Sequence, residues 1–177
     1  MQRRQSEPVG LLRVSAPVFY GRRYLAPVVL EFLARYPEVR VELVLGNRRS
    51  DLLEEGFDVA VHIGRLDDSS LVARKVSEGA VHFVASPAFL SRHGPPPPIA
   101  RVPAAPCRDA VRDGRLKVLF AQEPSQLLPS YAVYPSRRHL EQKVRAFVDF
   151  LQGVYGPTPY WDRGLSRDPM EIDGTGI

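Results

Sequence analysis

Within the first 63 residues the hydrophobic pattern switches back and forth between two periods, and this succession restricts the fold more than any other feature of the chain. Leu11 to Ser15 is a short apolar run that stops at Ala16-Pro17, as a buried strand does where the chain turns. From Tyr24 to Tyr36 the residues Leu25, Val28, Val29, Phe32, Leu33 and Tyr36 recur at three- and four-residue steps, which predicts a helix with one apolar face. Pro27 must lie in its first turn or kink it, and Pro37 ends it. Val39, Val41, Leu43 and Leu45 then alternate with Arg40 and Glu42, the two-residue period of a strand, until Gly46-Asn47 breaks the run. A short helix is expected from Ser50 to Glu55, closed by Gly56. Asp58 to Ile63 is nearly all apolar, as befits a strand covered on both faces. Strand, helix, strand, helix, strand in this order predicts a parallel sheet with right-handed crossovers.

Two more strand-like runs follow, Leu71 to Val76 and Val81 to Ser86. After Pro87 the character changes. Ala88 to His93 predicts one or two helical turns, and Gly94 followed by Pro95, Pro96, Pro97 and Pro98 continues neither regular structure, which marks a lobe boundary or a junction. Residues 99–130 hold one convincing strand, Leu116 to Phe120, amid Pro103, Pro106, Pro124 and Pro129. Tyr131 to Tyr134 is a further short strand, after which Ser136 is placed to cap a helix with Leu140, Val144, Phe147, Val148 and Leu151 on one face. The final stretch is rich in Gly, Pro and Asp and is expected to be disordered.

Composition narrows the class. A hydrophobic fraction of 44% with 25% charged residues over 177 residues is ordinary for a globular chain of one domain or two small lobes. The net charge of +4 is spread along the chain and not gathered into a basic arm, so it reads as an Arg-rich solvated surface. The pairs Arg22-Arg23, Arg48-Arg49 and Arg137-Arg138 lack interleaved aromatics or a recognition helix and are expected to face solvent. The single Cys107 excludes an internal disulfide and fits a reducing cytoplasm. Arg13 interrupts the apolar run at the N-terminus, so neither a signal peptide nor a membrane span is visible.

Residues 10–76, and above all the run EGFDVAVHIG at 55–64, resemble the first lobe of the LysR-type effector domain; KVRAFVDFL at 143–151, within 132–151, is similar to that family's closing strand and helix, and VASPAFLSRHG at 84–94 also matches. The resemblance covers more than half the chain. It implies an α/β fold like that of the type II periplasmic binding proteins, two lobes with a ligand cleft between them, and transcription regulation through a small-molecule effector. The family's winged helix-turn-helix and linker helix would stand before Met1, so DNA contact is implied only through a region absent here. The segment IARVPAAPCRDAVRDGRL at 99–116 is similar to the stretch that leaves the second lobe, while the strands and helices of that lobe are missing between His93 and Val102. The organisation expected is a linker remnant at 1–8, a nearly complete first lobe at 9–87 and 131–152, a truncated, vestigial second lobe and hinge at 88–130, and a tail at 153–177. Family members are oligomeric, and the second-lobe elements through which they pair are among those missing.

Open parallel sheets bind ligands beyond the carboxyl ends of their strands, where helix N-termini present N–H groups. That rule selects Ser15, Ala16 and Pro17 at the end of the first strand, Gly46 and Asn47 at the second, and Ile63 and Gly64 at the third, where a glycine lets a ligand approach the backbone. The plain alternatives are that Ser15 caps the helix and that Gly46-Asn47 is an ordinary turn. The resemblance implies that effectors, often small carboxylates or aromatic acids, meet the Ser15 loop.

Catalytic readings fare worse. Cys107 is expected in a proline-flanked loop with no His at a recognisable spacing, and His62, His82, His93 and His139 form no metal-ligand motif. Asp67 and Asp68 read as a solvated turn. There is no Walker A loop, GxGxxG or GxSxG, and no cofactor is implied. The sequence thus points to an effector-sensing domain and not an enzyme. A free-standing solute-binding protein of the same fold, against which the lack of an export signal speaks, and a non-functional fragment are the rivals.

Overall fold

The structure, a computed structural model, describes residues 7–46, 56–66, 70–94, 102–119, 126–135, 140–156 and 159. Its elements are the strands β1 (Gly10–Ala16), β2 (Val39–Leu45), β3 (Val59–Ile63), β4 (Leu71–Ala85), β5 (Val102–Pro103), β6 (Lys117–Leu119) and β7 (Gln126–Pro135). The helices are α1 (Val18–Tyr20), α2 (Ala26–Arg35), α3 (Pro87–His93), α4 (Ala104–Arg112) and α5 (Gln142–Tyr155). The chain divides into two units, one of residues 1–77 with 129–157 and the other of 78–128 with 158–177.

The first unit carries the expected parallel sheet. β1 lies between β2 and β3 and runs parallel to both, with Ala16 opposite Leu45 and Ser15 opposite Ala60. β7 joins β3 antiparallel, Ile63 facing Ser130, and β4 neighbours β7. Along β1 the two-residue period places Leu12, Val14 and Ala16 on one face, all three buried. Against the sheet lie the two helices whose apolar faces the sequence marks out. On α2 the buried residues are Val28, Val29 and Phe32; on α5 they are Val144, Phe147, Val148, Leu151 and Tyr155 at helical spacing. The helices meet through Phe32, whose ring stands edge-on to Phe147 at 5.1 Å and to Phe150 at 5.4 Å between centroids.

The first helix departs from regularity where Pro27 predicts trouble. α1 passes into a π-helical turn over Gly21–Leu25 before α2 begins, and the N–H of Ala26 donates to the carbonyl of Gly21. Pro27 sits in the first turn of α2 and has no N–H to continue the ladder, so the extra residue of a π turn is accommodated just before it. Gly21 is buried at this turn, and a Cβ there would run into Cδ2 of Leu45 at the end of β2. The close approach ties the helix start to the sheet edge.

Several expectations are corrected in detail. Leu71 to Val76 and Val81 to Ser86 are one continuous fifteen-residue strand, β4. Tyr131 to Tyr134 is the inner part of the ten-residue β7. α5 begins at Gln142 after Glu141 and not from a Ser136 cap, which leaves Leu140 before the helix. The same helix continues past 152 to Tyr155, which is fully buried and donates its hydroxyl to the carbonyl of Tyr24 at 3.2 Å. Tyr155 lies four residues beyond Leu151 on the same face, so the period persists through Gly153. The helix expected at Ser50 to Glu55, residues 67–68, Ser136 and the chain beyond 159 lie outside the described residues.

In the second unit β4 pairs antiparallel with β5 and with β6, Val81 opposite Pro103 and Phe83 opposite Leu119. Ser86 caps α3, its hydroxyl accepting from the Phe89 N–H at 3.2 Å. Cys107 is not in a loop: it is buried within α4, whose first turns absorb Pro106. No helix among the described residues is long and apolar enough to cross a membrane.

Phe147→Ala removes a ring that is 0% exposed at the meeting of α2, α5 and the sheet. We expect a loss of about 3–5 kcal/mol of stability by denaturant titration; an unmoved transition would show that α5 does not pack there.

Candidate functional site

Because β1, β2 and β3 are parallel, their carboxyl ends share one edge of the sheet. β1 and β2 end level, and the Gly46 N–H donates to the Ala16 carbonyl at 3.0 Å, closing the two strand ends together. β3 continues past the level of Ala16 by two residues to Ile63, a step of about 7 Å. The edge is therefore stepped, with Ala16 and Gly46 on the lower tread and Ile63 and Gly64 on the upper.

Ser15 is buried, at 6% exposure, and Ala16 is buried too. Pro17, Gly46, Ile63 and Gly64 keep more of their surface. The position that caps the helical run Val18–Arg35 is Pro17 and not Ser15, with φ −58° and ψ 141°, and the Gly21 N–H closes the first turn onto the Pro17 carbonyl at 2.7 Å. Helix starts orient N–H groups outward and favour anionic or acceptor groups nearby. No acidic residue lies in the first turn to occupy that field. Asn47, the remaining candidate, lies outside the described residues.

Gly64 directly follows β3 at φ 99°, a conformation L residues rarely adopt, and its N–H donates to the Pro129 carbonyl at 2.8 Å. Just before it, Nε2 of His62 lies 2.9 Å from the Arg65 carbonyl, so a ring N–H at this nitrogen ties the chain after the strand back to it. The sequence marks Gly64 but gives no sign of His62, Pro129 or Ser130, because their involvement depends on a turn and on an antiparallel neighbour more than sixty residues away.

The charged groups gather elsewhere. Arg13 lies on the same face of β1 as Ser15 but two residues deeper, opposite Glu42, with Nε 3.0 Å from Oε2 of that residue. Its N–H donates to Oδ2 of Asp58 at 2.9 Å, and its guanidinium covers the Phe57 ring at 5.1 Å. Lys143 stands 3.7 Å from Asp58 and 2.9 Å from Glu141. These cations serve the scaffold at the opposite end of β3. Among the described residues no group of three or more His, Cys, Asp or Glu is placed to hold a metal ion.

With the edge and its sheet in place, the model of the LysR substrate binding domain matches residues 5–102 and 98–156. The chain belongs to that family. An uncharacterised HTH-type transcriptional regulator of Haemophilus influenzae is 41% identical over 87 residues, covering 49% of this chain and 30% of that protein. An HTH-type transcriptional repressor of Pseudomonas aeruginosa is 27% identical over 209 residues, covering 86% of this chain and 66% of the repressor. The LysR-type chain thus spans less than two thirds of the length of these relatives. The regulatory domain of CrgA, a LysR-type transcriptional regulator from Neisseria meningitidis, superposes with a TM-score of 0.71 at 25% identity over 82% of this chain and 98% of that domain. The expected fold class, α/β and like the type II periplasmic binding proteins, is therefore the one observed.

The two pieces of the family match overlap at residues 98–102, which begin at Pro98, the last residue of the run Pro95 to Pro98. The alignment with the repressor runs over 209 positions yet takes in only 86% of 177 residues, so several dozen of its positions have no residue here.

Gly64→Ala forces a side chain onto a positive φ at the end of β3. We expect a loss of about 1–3 kcal/mol by thermal or denaturant unfolding; no measurable loss would mean that the turn does not hold this conformation in solution.

Proposed function

We propose that this chain is an effector-sensing module of a LysR-type transcriptional regulator, and that it meets its effector at the stepped edge formed by Ser15, Ala16, Pro17, Gly46, Ile63 and Gly64, with Asn47 as the further candidate that the sequence offers. The observation that carries the proposal is the convergence of three parallel strand ends with a helix start directly after Pro17. A small carboxylate or aromatic acid suits such an edge, since a charged hydrogen bond contributes about 1.5–3 kcal/mol and a helix N-terminus up to about 1 kcal/mol more. The relatives are named as transcriptional regulators, which supports a binding role over a catalytic one. We read the module as cytoplasmic, acting on DNA only through a region outside this chain.

The second lobe is the other wall of a family-type cleft, and the positions missing after the proline run shorten it. A good small-molecule site buries about 70–90% of its ligand. A deficit of about 100–150 Å² of apolar burial costs roughly 2.5–4 kcal/mol, or two to three powers of ten in affinity. The module should therefore bind its effector weakly and transmit little.

Isothermal calorimetry against a panel of small carboxylates and aromatic acids tests this directly. We expect dissociation constants well above the micromolar range, with any binding that is detected weakened by Ser15→Ala. A submicromolar binder abolished by Ser15→Ala would show that the cleft is whole; binding indifferent to Ser15→Ala would remove the strand-end edge as its site.

A further inference from the structure

At the point where the chain leaves the first unit and returns to it, two buried serines face one another. Ser77 is the last residue of that unit on β4, and Ser130 stands one residue inside it on β7. They are 2% and 4% exposed, and their hydroxyl oxygens lie 2.6 Å apart. The Ser130 hydroxyl also lies 3.4 Å from the carbonyl oxygen of Ser77, as a second acceptor. The surroundings along both strands are apolar: Val76 precedes Ser77, Ala132 and Val133 follow on β7, and all three are buried.

β7 also borders the upper tread of the candidate edge, the end of β3. Ser130 is opposite Ile63, the last register pair of β3 with β7, and the Gly64 N–H donates to Pro129 directly before it. Pro129 has no N–H to return, so this ladder ends on a single bond, the kind of terminal bond that frays first. A one-residue slip of β7 would turn the Ser130 hydroxyl to the other face of the sheet and strand its partner in an apolar setting. The hydroxyl pair therefore specifies the register of β7 against β4, and through β7 it specifies where the Gly64 N–H finds its acceptor.

We infer that Ser77 and Ser130 form a clasp that positions the Ile63–Gly64 end of the edge, with Ser130 as its principal member. As a statement about the edge as an effector site this rests on the function proposed above; the clasp itself is a property of the strands. It predicts an asymmetry. Ser130→Ala removes both contacts of the Ser130 hydroxyl, whereas Ser77→Ala leaves that hydroxyl within reach of the residue 77 carbonyl. Arg74 and Gln152 hold β4 to α5 in either variant, Arg74 through Asp149 at 2.6 Å and Gln152 through the Lys75 carbonyl at 2.7 Å.

Amide hydrogen exchange on the full 177-residue chain reads this out, with the Gly64 N–H as reporter and the Gly46 N–H, bonded to Ala16 on the other side of the sheet, as internal control. Ser130→Ala should speed exchange at Gly64 about tenfold relative to Gly46, and Ser77→Ala by distinctly less. The double variant Ser77→Ala/Ser130→Ala, which leaves no lone hydroxyl between the strands and guards against a single variant that fails to fold, should match Ser130→Ala. Ser130→Thr, which keeps the hydroxyl, should stay near the parent. Equal acceleration at Gly64 and Gly46, or an effect of Ser77→Ala as large as that of Ser130→Ala, would overturn the clasp. Since no ligand enters the experiment, a positive result with no effector found in calorimetry counts against the effector edge alone.

Discussion

The contact on which the first unit depends is the return of α5 onto α2, made by rings that are more than a hundred residues apart in the chain. Phe32 meets Phe147 and Phe150, while Tyr155 reaches the carbonyl of Tyr24 and stacks edge-on to Tyr20 at 6.1 Å. A parallel sheet needs cover on its faces, and β1 is buried at Leu12, Val14 and Ala16. Without α5 the apolar face of α2 would also lie open. Everything between residues 78 and 128 is, for this core, a long excursion. Loop-closure entropy grows only slowly with loop length, so the length of that excursion has little effect on the cost of bringing α5 back. That is a physical reason why the core of the first unit tolerates a change in the length of the excursion.

From that core the candidate edge follows with few further requirements. β1 and β2 in full register bring Ala16 and Gly46 together, and the longer reach of β3 lifts Ile63 and Gly64 above them. The π turn at Gly21–Leu25 lets the helix begin directly after Pro17 while its apolar face still meets α5. Ser15 is buried on this edge, while Pro17, Gly46, Ile63 and Gly64 stay more accessible.

The parts of this molecule legible in its sequence are those that local periodicity encodes. The alternation at Val39–Leu45, the apolar run at 59–63 and the faces of α2 and α5 all have the predicted type, because each buries one well-defined set of side chains. The failures share a cause as well. β4 reads as two strands because Ser77, Glu78 and Gly79 interrupt its apolar pattern, yet Ser77 is satisfied by Ser130, a partner no local pattern can supply. Prolines around Cys107 suggest a loop, but Pro106 falls early in α4, where a missing N–H costs nothing. Tyr155 is lost to a composition-based tail because Gly153 lies on the exposed side of α5 and breaks no contact. Of the candidate edge, the residues were nameable from the strand-end rule, whereas its step and its link to β7 depend on register, which only the assembled sheet defines.

The rings of Tyr20, Phe32, Phe147 and Tyr155 pack the first unit into a fixed aromatic core. Circular dichroism followed through a thermal melt tests that most directly, with near-ultraviolet signals reporting the packed rings of Tyr20, Tyr24, Phe32, Phe147 and Tyr155 and far-ultraviolet signals reporting the helices. We expect a clear near-ultraviolet signal that disappears in one cooperative transition coincident with the loss of helix. A chain with helical far-ultraviolet signal but no aromatic signal, or with aromatic signal lost well below the helix transition, would be a loosely packed globule and would contradict it.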